Sequence, residues 1–344
     1  SGQLYEPEDA GELAAYKESK DGQVLEEGIN EAGAFSAWLA AATSYSTNRF
    51  TLIPFYIFYS MFGFQRVGDL AWAAGDMQAR GFLLGATAGR TTLNGEGLQH
   101  QDGHSHVLAS TIPNCVSYDP CYAYELAVII QDGLKRMFAD RERVFYYITL
   151  MNENYPQPAM PKGVAEGIIQ GAYRLRTAEG GGPKVRLLGS GTILREVEAA
   201  AELLAEQGVA AEVFSVTSYN ELARQMRDVE RWNLLHPEAQ PKRSRVAELL
   251  GGEVPIVAAS DYQKSLPEQI RGALTAPFTV LGTDGFGRSD TREELRDFFE
   301  VDRRFIALSA LSALARAQQI PLDAVRRARD GFGIDPNKPN PRLA

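Results

Sequence analysis

Residues 51–58 read T-L-I-P-F-Y-I-F, an uncharged run of apolar, aromatic and β-branched side chains. A strand covered on both faces of a parallel sheet has this composition, whereas a strand with one wet face alternates apolar and polar residues. Upstream, residues 31–42 (E-A-G-A-F-S-A-W-L-A-A-A) crowd small and apolar side chains too densely for a helix facing solvent, and they predict a helix buried on most sides. Downstream, a helical stretch over 68–78 leads to a second short apolar run, 81–87. Strand, helix and strand in this order form a βαβ unit, which implies a parallel sheet.

Straight after the second run comes N-G-E-G-L-Q-H-Q-D-G-H-S-H, residues 94–106, which holds three of the four histidines, His100, His104 and His106, with Glu96 and Asp102. Open α/β sheets bind ligands at the C-terminal ends of their strands, and this loop occupies such a place. Gly95, Gly97 and Gly103 let the backbone bend sharply. Two carboxylates and three imidazoles can donate, accept or coordinate near neutral pH, so the loop reads as either acid–base machinery or a metal site. Fully extended, residues 100–106 would project His100, Asp102, His104 and His106 from one face, as a divalent cation requires. Gly103 favours a turn instead, and only His236 remains elsewhere to complete a ligand set, so no metal is expected on this chain's own residues.

The rest of the chain continues the alternation. Short strands are expected at 112–118 and 144–150, with a helix over 122–138 between them. Residues 152–161, N-E-N-Y-P-Q-P-A-M-P, cannot extend either element, because proline removes the donor each needs. A helical connector and the linker-like E-G-G-G-P at 179–183 follow. The second half restarts with strands at 184–188, 211–216, 254–260 and 279–282, and helices at 193–207 and 220–235. The expected architecture is α/β with two domains, 1–160 and 185–344 joined by a connector over 161–184, each a mostly parallel sheet flanked by helices. Gly189-Ser190-Gly191 follows a strand and opens a helix, but a dinucleotide fingerprint would need a glycine where Leu194 stands, so a tight turn without ligand is preferred.

Composition removes several classes of function. Of 344 residues, 35 are basic and 44 acidic, giving a net charge of -9 and no basic patch for nucleic acid. Two cysteines, Cys115 and Cys121, support neither a disulfide scaffold nor a cysteine-rich zinc module, and a reducing cytoplasm fits. The longest uncharged run, 50–64, is too short to span a bilayer, and no signal peptide is read. Residues 1–23 are polar and acidic and read as a mobile or partner-ordered lead-in. The start at Ser1 rather than Met reads as a processed product or part of a longer chain.

Longer motifs carry a resemblance. E-G-I-N-E at 27–31, S-Y-S-T-N at 44–48, Y-S-M-F-G-F-Q-R at 59–66, G-R-T-T-L-N-G-E-G-L-Q-H at 89–100, T-D-G-F-G-R-S-D at 283–290 and N-P-R-L-A at 340–344 run through the whole chain in order. In these the sequence resembles the last two domains of the homodimeric pyruvate dehydrogenase E1 component. D-G-H-S-H at 102–106 is also similar to a loop of transketolases. The resemblance implies a thiamine-diphosphate pyrimidine-binding fold followed by a transketolase C-terminal-like fold. It implies that Glu31 hydrogen-bonds the aminopyrimidine of thiamine diphosphate, favouring the imino tautomer whose nitrogen takes the thiazolium C2 proton. Phe62 then stacks on that ring and Arg66 borders the cofactor, while Tyr59 and His100 meet the pyruvate-derived group, with Glu96 orienting the loop. Asp102 and His106 are implied as further loop or substrate residues.

The G-D-G and paired asparagines with which this class holds Mg²⁺ and the diphosphate are not found; Gly75-Asp76-Met77 is the nearest approach. The domain that bears them is expected N-terminal to Ser1, and the cofactor is expected between this chain and a second E1 subunit. The implied reaction is decarboxylation of pyruvate and reductive acetylation of the lipoyl group of the dihydrolipoyl acetyltransferase, E2, with this chain alone inactive. The alternatives are another thiamine-dependent transfer such as a transketolase reaction, a non-catalytic dimerisation unit, and, third, a metal-binding protein. No role follows for residues 283–290.

Overall fold

The computed structural model describes residues 19–344, so most of the lead-in read over 1–23 lies outside the described residues. The first sheet has four parallel strands, β1 (Phe55–Phe58), β2 (Phe82–Ala86), β3 (Cys115–Tyr118) and β4 (Phe145–Leu150), in the order β1-β2-β4-β3. Side chains alternate across β4. Phe145 and Tyr147 join Phe35, Trp38, Val67 and Ala71 from the helices Glu31–Ala42 and Phe64–Asp76, while Tyr146 and Ile148 join Ile129 and Met137 on the opposite face. Both faces of this central strand are thus dry, and each such side chain contributes about 1.5–3 kcal/mol of burial.

Two expectations are corrected here. The run 51–58 forms a strand only from Phe55, because Pro54 has no N–H for the ladder, and that strand is an edge. Its Ile57 is 65% exposed, so β1 is not covered on both sides. The helix Glu31–Ala42 buries Phe35, Trp38 and Ala42 but leaves Ala32, Ser36 and Ala40 to solvent, so it is one-sided. Its start is set by Asn30, whose Oδ1 accepts from the backbone N–H of Gly33 at 3.1 Å.

The second sheet contains β5 (Ala172–Arg176), β6 (Lys184–Gly189), β7 (Ala210–Val216), β8 (Ile256–Ala259) and β9 (Phe278–Leu281), in the order β5-β7-β6-β8-β9. All neighbours are parallel except β5, which runs antiparallel to β7. β5 falls in the stretch read as a helical connector, and its alternating arginines, Arg174 and Arg176, hid a strand that pairs on one side only. Helices Ile193–Glu206 and Arg303–Arg316 cover one face of this sheet, and Tyr219–Leu235 with Arg245–Leu250 the other.

The two sheets meet along a polar seam. The outer edge of β3 is covered by the start of helix Tyr219–Leu235: Ser218 Oγ donates to the Ser117 carbonyl at 2.6 Å, Asn220 Nδ2 donates to Ser117 Oγ at 2.6 Å, and Asp119 N donates to the Thr217 carbonyl at 2.7 Å. At its centre Asp119 Oδ1 accepts from Thr149 Oγ1 at 2.7 Å, and that hydroxyl lies 2.9 Å from Nε2 of His106. Burial pushes the Asp119 carboxyl up to about 7, against the hydrogen bonds of Thr149 and Ser190. Burial also pulls the His106 imidazole down to about 4, against the charge of Asp102.

The two groups act on stability in opposite senses. Asp119, raised from 3.8, stabilises fully at low pH and loses that contribution as pH climbs towards 7. His106, lowered from 6.5, stabilises fully above that value and loses its contribution as pH falls to about 4. Between about 4 and 6.5 the fold keeps one proton on Asp119 and the unfolded chain keeps one on His106, so the pair is nearly pH-neutral. Asp119→Asn removes one half of this balance. The unfolding free energy of the variant should then rise with pH across that window more steeply than the parent's, by about 1.4 kcal/mol per pH unit. Urea titrations through the window measure the slope, and parallel profiles for the two proteins would show the assignment to be wrong.

Candidate functional site

β1 ends at Phe58, and the chain turns through Tyr59 into the 3-10 turn Ser60–Phe62. Gly63 permits the turn, since a Cβ there would stand 2.1 Å from the Phe58 ring. From the end of β2 a long loop returns His100 in a second 3-10 turn, Leu98–His100. The two turns meet: the His100 ring lies 5.0 Å from Phe62 and 5.5 Å from Tyr59, centroid to centroid, and Tyr59 and Phe62 are 6.1 Å apart. Glu31 comes from a third direction, at the first turn of its helix, and its Oε1 accepts from Arg66 Nη1 at 2.6 Å. The guanidinium carbon of Arg66 in turn sits 4.2 Å above the Phe62 ring. Five residues singled out in the sequence, Glu31, Tyr59, Phe62, Arg66 and His100, therefore share one surface.

The charge of this surface is asymmetric. Glu31 is the more enclosed partner of its ion pair, with its side chain 18% exposed against 48% for Arg66. Beside it, Tyr56 on β1 has its phenol pushed up to about 12, by burial first and by the negative charge of Glu31 second, so it stays neutral. A carboxylate, an aromatic face and an imidazole placed this way can receive a flat nitrogen heterocycle that donates towards Glu31 while its faces meet Phe62.

The remaining loop residues have other work. The extended strand that a metal site would need is not formed: His100 sits in a 3-10 turn, and Asp102 closes a turn by accepting from the backbone N–H groups of His104 and Ser105, both at 2.9 Å. Among the described residues no group of three His, Cys, Asp or Glu is placed to hold a metal. Asp102 and His106 are fully buried. His106 packs edge-on against Tyr262 of the second half, 4.9 Å between centroids. His104 follows the same trend, its imidazole lowered by burial against the charge of Asp102. Glu96 is half-buried, and among the described residues no hydrogen bond or ion pair joins it to His100.

Sequence reading passed over the residues that hold this loop. Arg90 and Asp261 are both buried, and Asp261 reaches Thr91 across 170 residues of chain, a separation at which spacing carries no signal. Gly189-Ser190-Gly191 docks at the seam, where Gly191 N donates to the Asp119 carbonyl at 3.1 Å. A Cβ at Gly191 would stand 2.7 Å from Asp119 Oδ2, and its φ of +49° suits glycine.

Comparison with known proteins identifies the family of the chain. Residues 1–158 match the model of the pyruvate dehydrogenase E1 component middle domain, and residues 171–302 match that of the transketolase-like TK C-terminal domain. The pyruvate dehydrogenase E1 component of Pseudomonas aeruginosa is 61% identical over 344 residues, 99% of this chain and 39% of the relative. That of Escherichia coli strain K12 is 58% identical over 347 residues, 100% of this chain and again 39% of the relative. The chain thus spans about two-fifths of the length of these relatives. Among solved structures, transketolase from Campylobacter jejuni superposes with a TM-score of 0.60 at 18% identity, over 80% of this chain and 38% of that one. A split-gene transketolase, described as an inactive β4 tetramer, gives 0.60 at 19% identity over 84% and 83%. These two likenesses establish the fold. With both family domains in order and close relatives along its whole length, the chain belongs to the pyruvate dehydrogenase E1 component family, within the transketolase-like thiamine-diphosphate proteins.

Proposed function

We propose that this chain supplies the aminopyrimidine-facing half of a thiamine diphosphate site, in an enzyme that decarboxylates pyruvate and reductively acetylates the lipoyl group of E2. The observation that carries the reading is the convergence of Glu31, Phe62 and His100 on one surface. Arg66 supports the fit: its guanidinium is flat, lies on the Phe62 ring and donates to Glu31, as an aminopyrimidine in the same place would. When bound, the cofactor supplies the electron sink that loss of carbon dioxide requires. Glu31 accepts a hydrogen bond from the ring at its carboxylate oxygen and orients it, and Phe62 supports the ring's face. Tyr59 and His100 meet the substrate, with Glu96 at the mouth of the loop. Asp102 and His106 keep a structural task, closing and anchoring the loop.

The diphosphate and Mg²⁺ are assigned to a further domain, contributed by a second subunit. Support for a homodimer comes from the open edge of β1, where Phe50, Leu52, Ile53, Phe55 and Ile57 are exposed together. An apolar free edge of this kind calls for a partner. The domain division we propose is 1–160 and 185–344, with the 161–184 connector shortened because β5 pairs within the second sheet. A cytoplasmic location fits the two free, buried cysteines, and no helix of the described residues is long and apolar enough to cross a membrane. A transketolase reaction is the other reading, and activity on sugar phosphates without activity on pyruvate would favour it.

Two measurements test the proposal. Calorimetric titration with thiamine diphosphate and Mg²⁺ should show no tight binding by this chain alone and tight binding by the full-length protein; tight binding by the isolated chain would refute the half-site. In the full-length protein Glu31→Gln should cut pyruvate turnover by roughly 10²–10⁴-fold, the usual loss when a proton-handling group is removed. It should also weaken cofactor binding by about 1.5–3 kcal/mol, as expected for a lost hydrogen bond to a charged group. Unchanged turnover would overturn the role of Glu31.

A further inference from the structure

The loop that bears His100 faces Tyr59 and Phe62 only at its tip, while its root is held by the other half of the chain. Asp261, fully buried just beyond β8, takes four hydrogen bonds from that root. Its Oδ1 accepts from Thr91 N at 2.8 Å and Thr91 Oγ1 at 2.7 Å, and its Oδ2 from Thr92 N at 3.2 Å and Thr92 Oγ1 at 2.6 Å. Gly89 makes the approach possible: its φ is +93°, and a Cβ there would stand 2.3 Å from Asp261 Oδ2. A second strut comes from residues 283–290, the stretch to which the sequence assigned no role. Arg90 donates to the carbonyls of Thr283, at 2.7 Å, and Gly285. Gly95 N donates to the Asp290 carbonyl at 3.2 Å, and Arg288 N to Gln101 Oε1 at 2.7 Å. Gly287 lies so close to the His100 turn that a Cβ there would be 2.4 Å from the Leu98 carbonyl.

Cohesion alone does not call for a buried carboxylate, because apolar packing joins two domains at least as well. A carboxylate engaged at both oxygens by two consecutive residues adds direction, since only one orientation of the turn satisfies all four donors. The structure assigns Asp261 as a positioning residue of the second domain that orients the turn at Thr91 and Thr92 and thereby sets where His100 stands against Tyr59 and Phe62. The inference rests on the reading of His100 as a substrate-side residue. It gives the second domain a part in the reaction that its sequence does not announce.

The test uses the full-length protein and pyruvate turnover. Asp261→Asn keeps the shape but turns one acceptor into a donor facing Thr92. It should lower kcat by about 10²-fold, the scale of loss for a misplacement of roughly 1 Å, with a smaller change in KM. In the His100→Ala background the same substitution should cost almost nothing more, because the group it positions is gone. Equal losses in both backgrounds would make Asp261 merely structural and overturn the inference, as would an unchanged kcat. If Asp261→Asn fails to fold, Thr92→Val serves instead, with Thr92→Ser, which keeps the hydroxyl, expected to restore activity. Hydrogen exchange provides a reading independent of activity: amides of 94–101 should exchange at least tenfold faster in Asp261→Asn, while those of β4 stay unchanged. Should His100→Ala retain full turnover, the functional reading falls, and the exchange result alone decides whether Asp261 orders the loop.

Discussion

A carboxyl group shut away from water has to be satisfied by the protein itself, and the way Asp261 is satisfied organises this molecule. Its four donors come from two successive residues of the loop that leaves the first sheet, whereas its own backbone belongs to the second. Neither sheet could finish the turn alone: without Asp261, the N–H groups of Thr91 and Thr92 would be buried donors with nothing to meet, at a cost of about 1–3 kcal/mol each. The joint between the sheets and the shape of the functional loop are consequently one problem with one solution.

The same pattern recurs along the seam. Glu125, on the first half, accepts from Tyr173 and Ser215 of the second at 2.7 and 2.6 Å, while also taking the backbone N–H groups of Cys121 and Tyr122. Glu153, just after β4, is bound by Arg195 at 2.8 Å and by the buried Arg296. Asp119 and His106 share Thr149. Buried polar joints of this kind tolerate little sliding, because each displacement strands a charge or a donor. An apolar seam of equal area would hold as firmly but would let the two sheets choose among several packings. The polar seam favours the one in which every joint is satisfied.

How far all this could be read from sequence depended on whether the cause was local. β2 and β4 were legible because their apolar runs are short, unbroken and bounded by turns, and β6 and β7 because Val, Leu and Phe dominate them despite Lys184, Arg186 and Glu212; the structure forms all four within two residues of the expected limits. The seven apolar or aromatic residues of 51–58 misled, because composition does not distinguish a strand covered by its own domain from an open edge. β5 was invisible for the opposite reason, its arginines facing water and charge partners such as Glu212 and Glu202. At the site, Glu31, Tyr59, Phe62 and His100 were found through long motifs, and the structure brings them together. Asp102 and His106 carry the chemistry of a site, but the structure buries both, Asp102 closing a turn and His106 against Tyr262, a placement that only burial and partners reveal. Asp261 had no local signature at all, since its task is defined by residues 170 positions away.

The site itself follows a different rule from the frame. The pair between Glu31 and Arg66 is half open to water on the arginine side, and exposed pairs of this kind contribute about 0–1 kcal/mol. It is held by little more than proximity and by the Phe62 face beneath the guanidinium. On the proposed reading, a flat donor arriving at Glu31 would have only a weak, solvated competitor to displace. By contrast, nothing that enters from solvent can compete for Asp261, whose four donors belong to the chain. The Glu31–Arg66 contact lies at the rim with a small net energy, and the contacts of Asp261 lie in the seam, shut away from solvent. A charge at Glu31 buried as deeply as Asp261 would bind its internal partner too well to be useful, and one at Asp261 exposed as Glu31 is would let the loop drift.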